Sequence, residues 1–139
     1  MVNNNFLTDT LSWQEYLEQN QILAKIKNGA RIGILPKNNF GTEGEYLLVW
    51  EVKEGRINVF TETFKGFRYS GVEIIFLAEE QVLEKMYQAL SNDILSEIKN
   101  QIRLGNIICY IMKNRQELID MGFEELIEYI GIPSIGTCH

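Results

Sequence analysis

The sequence predicts a single α+β domain with an N-terminal helix, an antiparallel β-meander of about four strands and a helical C-terminal half. Between residues 44 and 77, short runs of β-branched and aromatic residues at period two are separated by turns that contain glycine. After Leu77 the apolar period changes to about 3.6 residues, which is typical of amphipathic helices. The length of 139 residues suits one domain, with 1–11 and 131–139 as loose termini.

The first predicted element is a helix over residues 12–28. Ser12 and Glu15 have the spacing of a capping box, in which each side chain accepts a hydrogen bond from the other residue's backbone N–H. Asn28 and Gly29 form a typical helix end. We expect this helix to pack on the sheet, and the alternative is a detachable arm that docks on a partner.

The first predicted strand covers Ala30–Pro36. Because proline cannot donate a hydrogen bond to a neighbouring strand, this strand should end at Pro36 or lie at an edge of the sheet. A polar loop over 37–43 follows, with Phe40 at its tip. The glycines near this loop precede a strand and not a helix, so they do not form a phosphate-binding loop.

The following hairpin has a register that can be predicted from its turn. If Glu54 and Gly55 form a two-residue loop, Trp50 lies opposite Val59 and Leu48 opposite Thr61. Alternation then assigns one face to the core and leaves a second, mixed face with an apolar centre and charged ends. A further strand within 67–77 completes the meander. The predicted core face consists of Tyr46, Leu48, Trp50, Val52, Ile57 and Val59.

The C-terminal half contains three predicted helical segments and one ambiguous stretch. Helices are predicted over 79–90, from 94 to Gly105, and over 123–130. The stretch 106–112 fits a buried strand by itself, but apolar residues at helical spacing up to Gly122 favour a single helix. In the alternative, 107–112 is a strand and a new helix begins at Asn114, which forms a capping pair with Glu117.

Composition excludes several classes of function. The chain has 13 basic and 19 acidic residues, a net charge of −6, and no basic run, which argues against nucleic-acid binding. No apolar run is long enough to cross a bilayer, and the N-terminus does not have the pattern of a signal peptide. Two cysteines without metal-ligand spacing to the single histidine predict a cytoplasmic protein without a metal site.

The sequence also predicts that the protein is not an enzyme and has no cofactor. His139 is the only histidine and is the last residue, so the body of the chain does not contain the commonest general base. Cys109 lies in an apolar run without a neighbouring cation that would lower its pKa, and it is expected to pack in the core. No catalytic residue is therefore predicted.

Two binding hypotheses remain. The first is a protein partner, such as an extended peptide or tail, that binds the mixed sheet face if the helix 12–28 does not cover it, or adds a strand to an edge such as 31–36. The second is a planar anionic ligand, such as a nucleotide, between meander and helices. The predicted partner-binding residues are Leu47, Val49, Phe60, Phe64 and Arg56; the predicted ligand-binding residues are Arg31, Trp50, Arg68 and Tyr69, with Phe67 beside them.

Two segments, SWQEYLEQNQILAKIKNG at 12–29 and MGFEELIEYIGI at 121–132, carry a resemblance to a known family. In these segments the chain resembles small cyanobacterial α+β accessory proteins, among them the carboxysome shell assembly chaperone. The resemblance implies a non-enzymatic role in which the protein binds an extended tail of a shell protein and regulates its assembly. It assigns no role to any numbered residue.

Overall fold

The α+β class is confirmed in a computed structural model, which describes residues 9–37 and 46–131. These residues form five α-helices and a five-stranded mixed sheet. In chain order the elements are α1 (Thr10–Glu18), β1 (Arg31–Pro36), β2 (Tyr46–Lys53), β3 (Arg56–Thr63), β4 (Ile74–Ala78), α2 (Glu80–Gln88), α3 (Ile94–Arg103), β5 (Ile107–Ile111), α4 (Arg115–Asp120) and α5 (Glu124–Ile130), with short 3-10 turns at Leu23–Lys25, Phe67–Tyr69 and Ala89–Ser91. The predicted loop 37–43 with Phe40 lies, beyond Lys37, outside the described residues.

The sheet has the strand order β3-β2-β1-β4-β5, which is not a simple meander. After β3 the chain crosses to the far side of β1, where β4 pairs with β1 in parallel; the other neighbours are antiparallel. Strand β1 is therefore central and ends at Pro36, as the first of the two predicted alternatives requires, and 31–36 is not an edge at which a strand could be added. Pro36 is the last residue of β1, so the N–H group that proline does not have removes no hydrogen bond from the interior of the sheet.

The β2–β3 hairpin has the predicted register. Trp50 lies opposite Val59, and the loop consists of Glu54 and Gly55. Both loop residues have positive φ, 54° and 76°, as a type I′ turn requires. The predicted core face is buried in this hairpin except at Tyr46, which is 61% exposed at the start of β2.

The first helix differs from its prediction at both ends. It begins at Thr10, inside the segment expected to be loose, and its cap is Asp9, whose carboxylate accepts a hydrogen bond from the Ser12 N–H (3.3 Å). The proposed cap by Ser12 is therefore wrong. The helix ends at Glu18 because the Asn20 side chain accepts hydrogen bonds from the next free N–H groups, at 3.0 and 3.1 Å, and starts a short 3-10 turn.

The prediction of one helix through 106–112 is wrong, and its alternative is correct. Residues Ile107–Ile111 form β5, which pairs antiparallel with β4. The next helix begins with the Asn114 and Glu117 capping box, in which each side chain accepts a hydrogen bond from the other's backbone N–H. Strand β4 offers this apolar stretch a row of backbone partners, and that tertiary pairing outweighs its helical spacing.

The helices all pack on one face of the sheet and form the larger core. Trp13 of α1 is fully buried and contacts Trp50 at 5.8 Å and Tyr87 at 6.1 Å between ring centroids. The Tyr87 hydroxyl donates a hydrogen bond to the Asp9 carboxylate (2.5 Å), which joins the start of α1 to α2. The first helix is thus docked on the predicted core face and does not cover the mixed face.

The mixed face has its own smaller core. Leu35, Leu47, Val49 and Ile75 are completely buried there. Aromatic residues pack over them, with the Phe67 ring 5.5 Å from Phe64 and 4.9 Å from Tyr110. The sheet is therefore apolar on both faces, which explains why β1 and β4 are continuous apolar runs and do not alternate.

Gly122 allows a close contact between the α4–α5 turn and the 3-10 turn that follows α1. A Cβ atom at this position would lie 2.4 Å from the Lys25 carbonyl oxygen, and φ is +88°. The Lys27 N–H donates a hydrogen bond to the neighbouring Met121 carbonyl (2.9 Å), which fixes the approach. Glycine is required here both for its backbone conformation and for space.

We expect Gly122→Ala to destabilise the fold by ~1–3 kcal/mol beyond the cost of positive φ, because two backbone segments must separate. The matched control is Gly105→Ala, which has φ of +81° and no atom within 4 Å of the added Cβ. That control should lose only about 1–2 kcal/mol. Urea unfolding measures both, and equal losses would show that the close contact contributes nothing.

Candidate functional site

The predicted partner-binding surface is not an exposed apolar patch. At most 1% of the surface of Leu47, Val49 and Phe64 is exposed, and Phe60 is half-buried. Arg56 is exposed and its Nε lies 3.2 Å from a carboxylate oxygen of Glu18. A partner could reach Arg56 and part of Phe60 without a rearrangement of the sheet, but not the apolar centre.

The predicted ligand-binding residues do not converge. Trp50 lies opposite Ile32 and faces the helices, whereas Arg31 lies opposite Glu51 and faces the other side of the sheet. Tyr69 is 72% exposed in the 3-10 turn Phe67–Tyr69. Arg68 belongs to the same turn, and its side chain is outside the described part. These residues form no common pocket.

Arg31, from the predicted ligand site, instead contacts Phe60, from the predicted partner-binding surface. Its guanidinium lies 5.7 Å from the centre of the Phe60 ring, forms an ion pair with Glu62, and places Nε 3.7 Å from a carboxylate oxygen of Glu51. An anionic ligand would have to compete with two carboxylates for this cation. The cluster therefore joins strands β1, β2 and β3, and its local charge does not suit a nucleotide.

Glu73 is a buried carboxylate beside this cluster, with 7% of its surface exposed. Its Oε1 accepts a hydrogen bond from the Arg31 backbone N–H (2.7 Å), and its carbonyl accepts one from the Met112 N–H (2.9 Å). Burial raises the pKa of Glu73, and the bond from Arg31 and the positive charges of Lys113 and Arg31 oppose this effect. Glu73 thus fastens β1 and β5 to the start of β4.

The two outer edges of the sheet differ. In β3, the N–H of Val59 points away from β2 and donates a hydrogen bond to the Gln14 side chain of α1 (3.2 Å). The first helix therefore blocks part of that edge. Along β5, no described segment pairs with the outer side. An open edge is a known site for strand addition, and we take the β5 edge as the candidate site.

The orientation of the β5 backbone follows from its register. The Met112 N–H bonds to the Glu73 carbonyl, so residues 108, 110 and 112 bond inward to β4. The alternate residues Ile107, Cys109 and Ile111 consequently direct their N–H and C=O groups outward. Their side chains face the helices, and Ile107 and Ile111 are buried. The outer side of β5 is therefore a row of backbone donors and acceptors on a fixed strand.

Exposed apolar side chains lie next to this edge. Leu104 in the turn before β5 is 63% exposed, and Ile108 is 46% exposed on the non-helical face. Ile108 also lines a hollow of about 230 Å³ together with Lys37, Leu77 and Glu79.

The sequence analysis did not predict this candidate site because it favoured a helix over 107–112. The capping pair of Asn114 and Glu117 was the signal that could have indicated the strand.

The chemistry of the described residues gives no sign of a reactive centre. Burial raises the pKa of the Cys109 thiol to about 12, so the thiolate that a nucleophile needs is scarce at neutral pH. No group of three or more histidine, cysteine or acidic side chains is close enough to hold a metal ion within 9–37 and 46–131. None of the helices in those ranges has the length and apolar character needed to cross a bilayer.

Comparisons with known proteins provide no family. No protein-family model matches the chain, and no curated protein matches it. A solution structure from Thermus thermophilus, of a conserved hypothetical protein named as a possible sterol carrier protein, is 11% identical with a TM-score of 0.38; the match covers 96% of this chain and 84% of that one. At that TM-score the likeness bears on neither fold nor function. The carboxysome resemblance gains no support and stays a prediction.

We expect Glu73→Gln to change the pH dependence of stability. Because the pKa of Glu73 is raised in the folded state, the native protein binds more protons than the unfolded chain from about pH 4.5 up to that raised value. This group therefore lowers the free energy of unfolding as pH rises through that window. The glutamine variant should not show this decline, although its Oε1 can still accept the Arg31 N–H. Urea unfolding from pH 4 to 8 measures the slope, and identical slopes would contradict the assignment.

Proposed function

We propose that the protein is a non-enzymatic protein-binding module that takes up an extended segment of a partner protein as a sixth strand beside β5. The supporting observation is the outer edge of β5, with which no segment of 9–37 or 46–131 pairs and which has outward backbone groups at Ile107, Cys109 and Ile111. Strand addition needs such a preformed row, because the backbone bonds supply affinity and neighbouring side chains supply specificity. The edge replaces the mixed sheet face as the binding surface.

The energetics favour a reversible interaction. Three outward residues offer six backbone groups, and each hydrogen bond contributes about 0.5–1.5 kcal/mol net. Ordering a flexible segment offsets much of this gain. Contacts with Leu104 and Ile108, which are exposed beside the edge, would add apolar burial. A module of this kind binds and releases a segment, as an assembly chaperone or adaptor must.

The proposed role agrees with the role that the sequence predicts. Binding of an extended segment is what the resemblance to the carboxysome shell assembly chaperone implies, and that specific process rests on the resemblance alone. We also place the protein in the cytoplasm, as its cysteine usage predicts. The alternative, a nucleotide-like ligand, is not favoured, because Arg31 is paired with carboxylates and Trp50 lies on the opposite face.

We expect Cys109→Pro to abolish partner binding with little effect on folding. The Cys109 N–H points away from β4, so proline removes an outward donor and places its ring on the edge without breaking the β4–β5 ladder. The matched control is Cys109→Ala, which loses the same thiol but keeps the N–H. Immobilised wild type, Cys109→Pro and Cys109→Ala are compared for proteins retained from native lysate, with thermal melts of each.

A partner retained by wild type and by Cys109→Ala but not by Cys109→Pro supports the proposal. Equal retention by all three variants would contradict it. If Cys109→Pro does not melt cooperatively, the double variant Leu104→Gln/Ile108→Gln takes its place, because both side chains are exposed and their loss should weaken binding without unfolding the protein.

A further inference from the structure

The charges around β5 identify the chemistry of the segment that it takes up, and this step rests on the proposed function. We propose that the partner segment is acidic: an extended strand with apolar residues at its centre and carboxylates at its ends. The proposal stands on two features of the described structure. One is the open edge of β5, and the other is the distribution of basic residues on both sides of that strand.

Residues 98–116, which contain β5 and its flanks, include four basic residues and no acidic one. Because this stretch carries +4 and the whole chain −6, the remaining residues carry −10. Arg103 precedes the strand and is exposed, and Lys113 and Arg115 follow it within a few residues. An acidic protein thus presents its binding edge between basic ends, which attract a segment of opposite charge.

Three acidic side chains around β5 already have partners within the fold. Glu117 accepts the Asn114 N–H in the capping box. Glu79 borders the hollow next to Ile108, and its carboxylate lies 3.7 Å from Lys37. Glu73 is buried and bonded to the Arg31 N–H. The ion pair with Lys37 offsets the charge of Glu79, and no acidic residue lies between Glu97 and Glu117, so the charges closest to β5 in sequence are basic.

Charge also disfavours a second copy of this chain as the occupant. Two β5 strands paired antiparallel about Cys109 would bring the end of α3 at Arg103 in one copy to the same side as the start of α4 at Arg115 in the other. Both arginines are exposed, so this pairing brings like charges together at both ends of β5, which is unfavourable. An acidic segment from a different protein would instead be attracted to these same basic residues.

The side chains of β5 define the centre of the segment. Residues of an added strand alternate between the two faces. Those on the non-helical face would lie beside Ile108, which is 46% exposed and extends towards the hollow lined by Leu77. Apolar residues at alternate positions would cover Ile108, and this requirement separates the proposed segment from a generally acidic, flexible tail.

The test uses two synthetic peptides with the same Val-Thr-Val-Thr-Val centre. One has paired glutamates at both ends, and the other has paired lysines. We expect wild type to bind the acidic peptide about three- to tenfold more tightly at low salt, and added salt should reduce this ratio. Fluorescence anisotropy measures both affinities. Cys109→Pro, or Leu104→Gln/Ile108→Gln if the proline variant does not fold, should abolish binding of the acidic peptide.

Charge reversal identifies the residues responsible. Arg103→Glu/Arg115→Glu should remove or reverse the preference for the acidic peptide. The matched control, Lys53→Glu/Lys65→Glu, makes the same change in net charge near β2 and β3, the strands farthest from β5, and should keep the preference. Loss of the preference in both variants would show an effect of net charge only and would overturn the proposal.

The remaining outcomes separate this inference from the proposed function. If both peptides bind equally and Cys109→Pro abolishes both, strand addition holds and the acidic partner is wrong. If the acidic peptide does not bind wild type, the acidic partner is wrong, and retention of a lysate protein still decides the proposed function. A wild-type dimer in sedimentation that Cys109→Pro converts to a monomer would make a second copy the occupant.

Discussion

The parallel pairing of β1 with β4 is the constraint on which the rest of the structure depends. Only this pairing requires the chain to cross from one side of β1 to the other, and it gives β5 a neighbour. Glu73 sits at the start of the pair, where its side chain accepts the Arg31 N–H and its carbonyl accepts the Met112 N–H. One residue thereby bonds to the backbone at the beginning of β1 and just beyond the end of β5.

Local parts of the fold could be predicted from the sequence, because their signals are contained within a few residues. Glu54 and Gly55 tolerate positive φ, and this alone fixes the register of β2 and β3. Asn114 and Glu117 have the spacing of a capping box and form one. The helices that follow Leu77 are amphipathic; α2 ends at Gln88, two residues before its predicted end, and α3 ends at Arg103, just before the predicted stop at Gly105.

The order of the strands and the nature of 106–112 could not be predicted, because both depend on residues distant in sequence. An apolar run such as Ile107–Ile111 fits a helix or a strand, and only the partner strand β4 decides between them. The apolar centre of the mixed face, which was expected to be a partner-binding surface, is buried for the same reason. Leu47 and Val49 alternate like an exposed apolar row, but the chain after β3 returns Phe64 and Phe67 to cover that face.

The properties of the candidate site at the β5 edge follow from this order of the strands. Both faces of the sheet are covered by buried clusters, so its edges are the parts of the sheet at which another strand could be added. At β3, α1 already supplies a hydrogen-bond acceptor to Val59, and that edge is partly closed. At β5, the side chains of Ile107 and Ile111 are buried in the helical core while the backbone beside them remains open in the described part of the chain. Because these side chains are buried and the strand is paired with β4, the edge is already formed before a partner binds, which lowers the ordering cost of adding another strand.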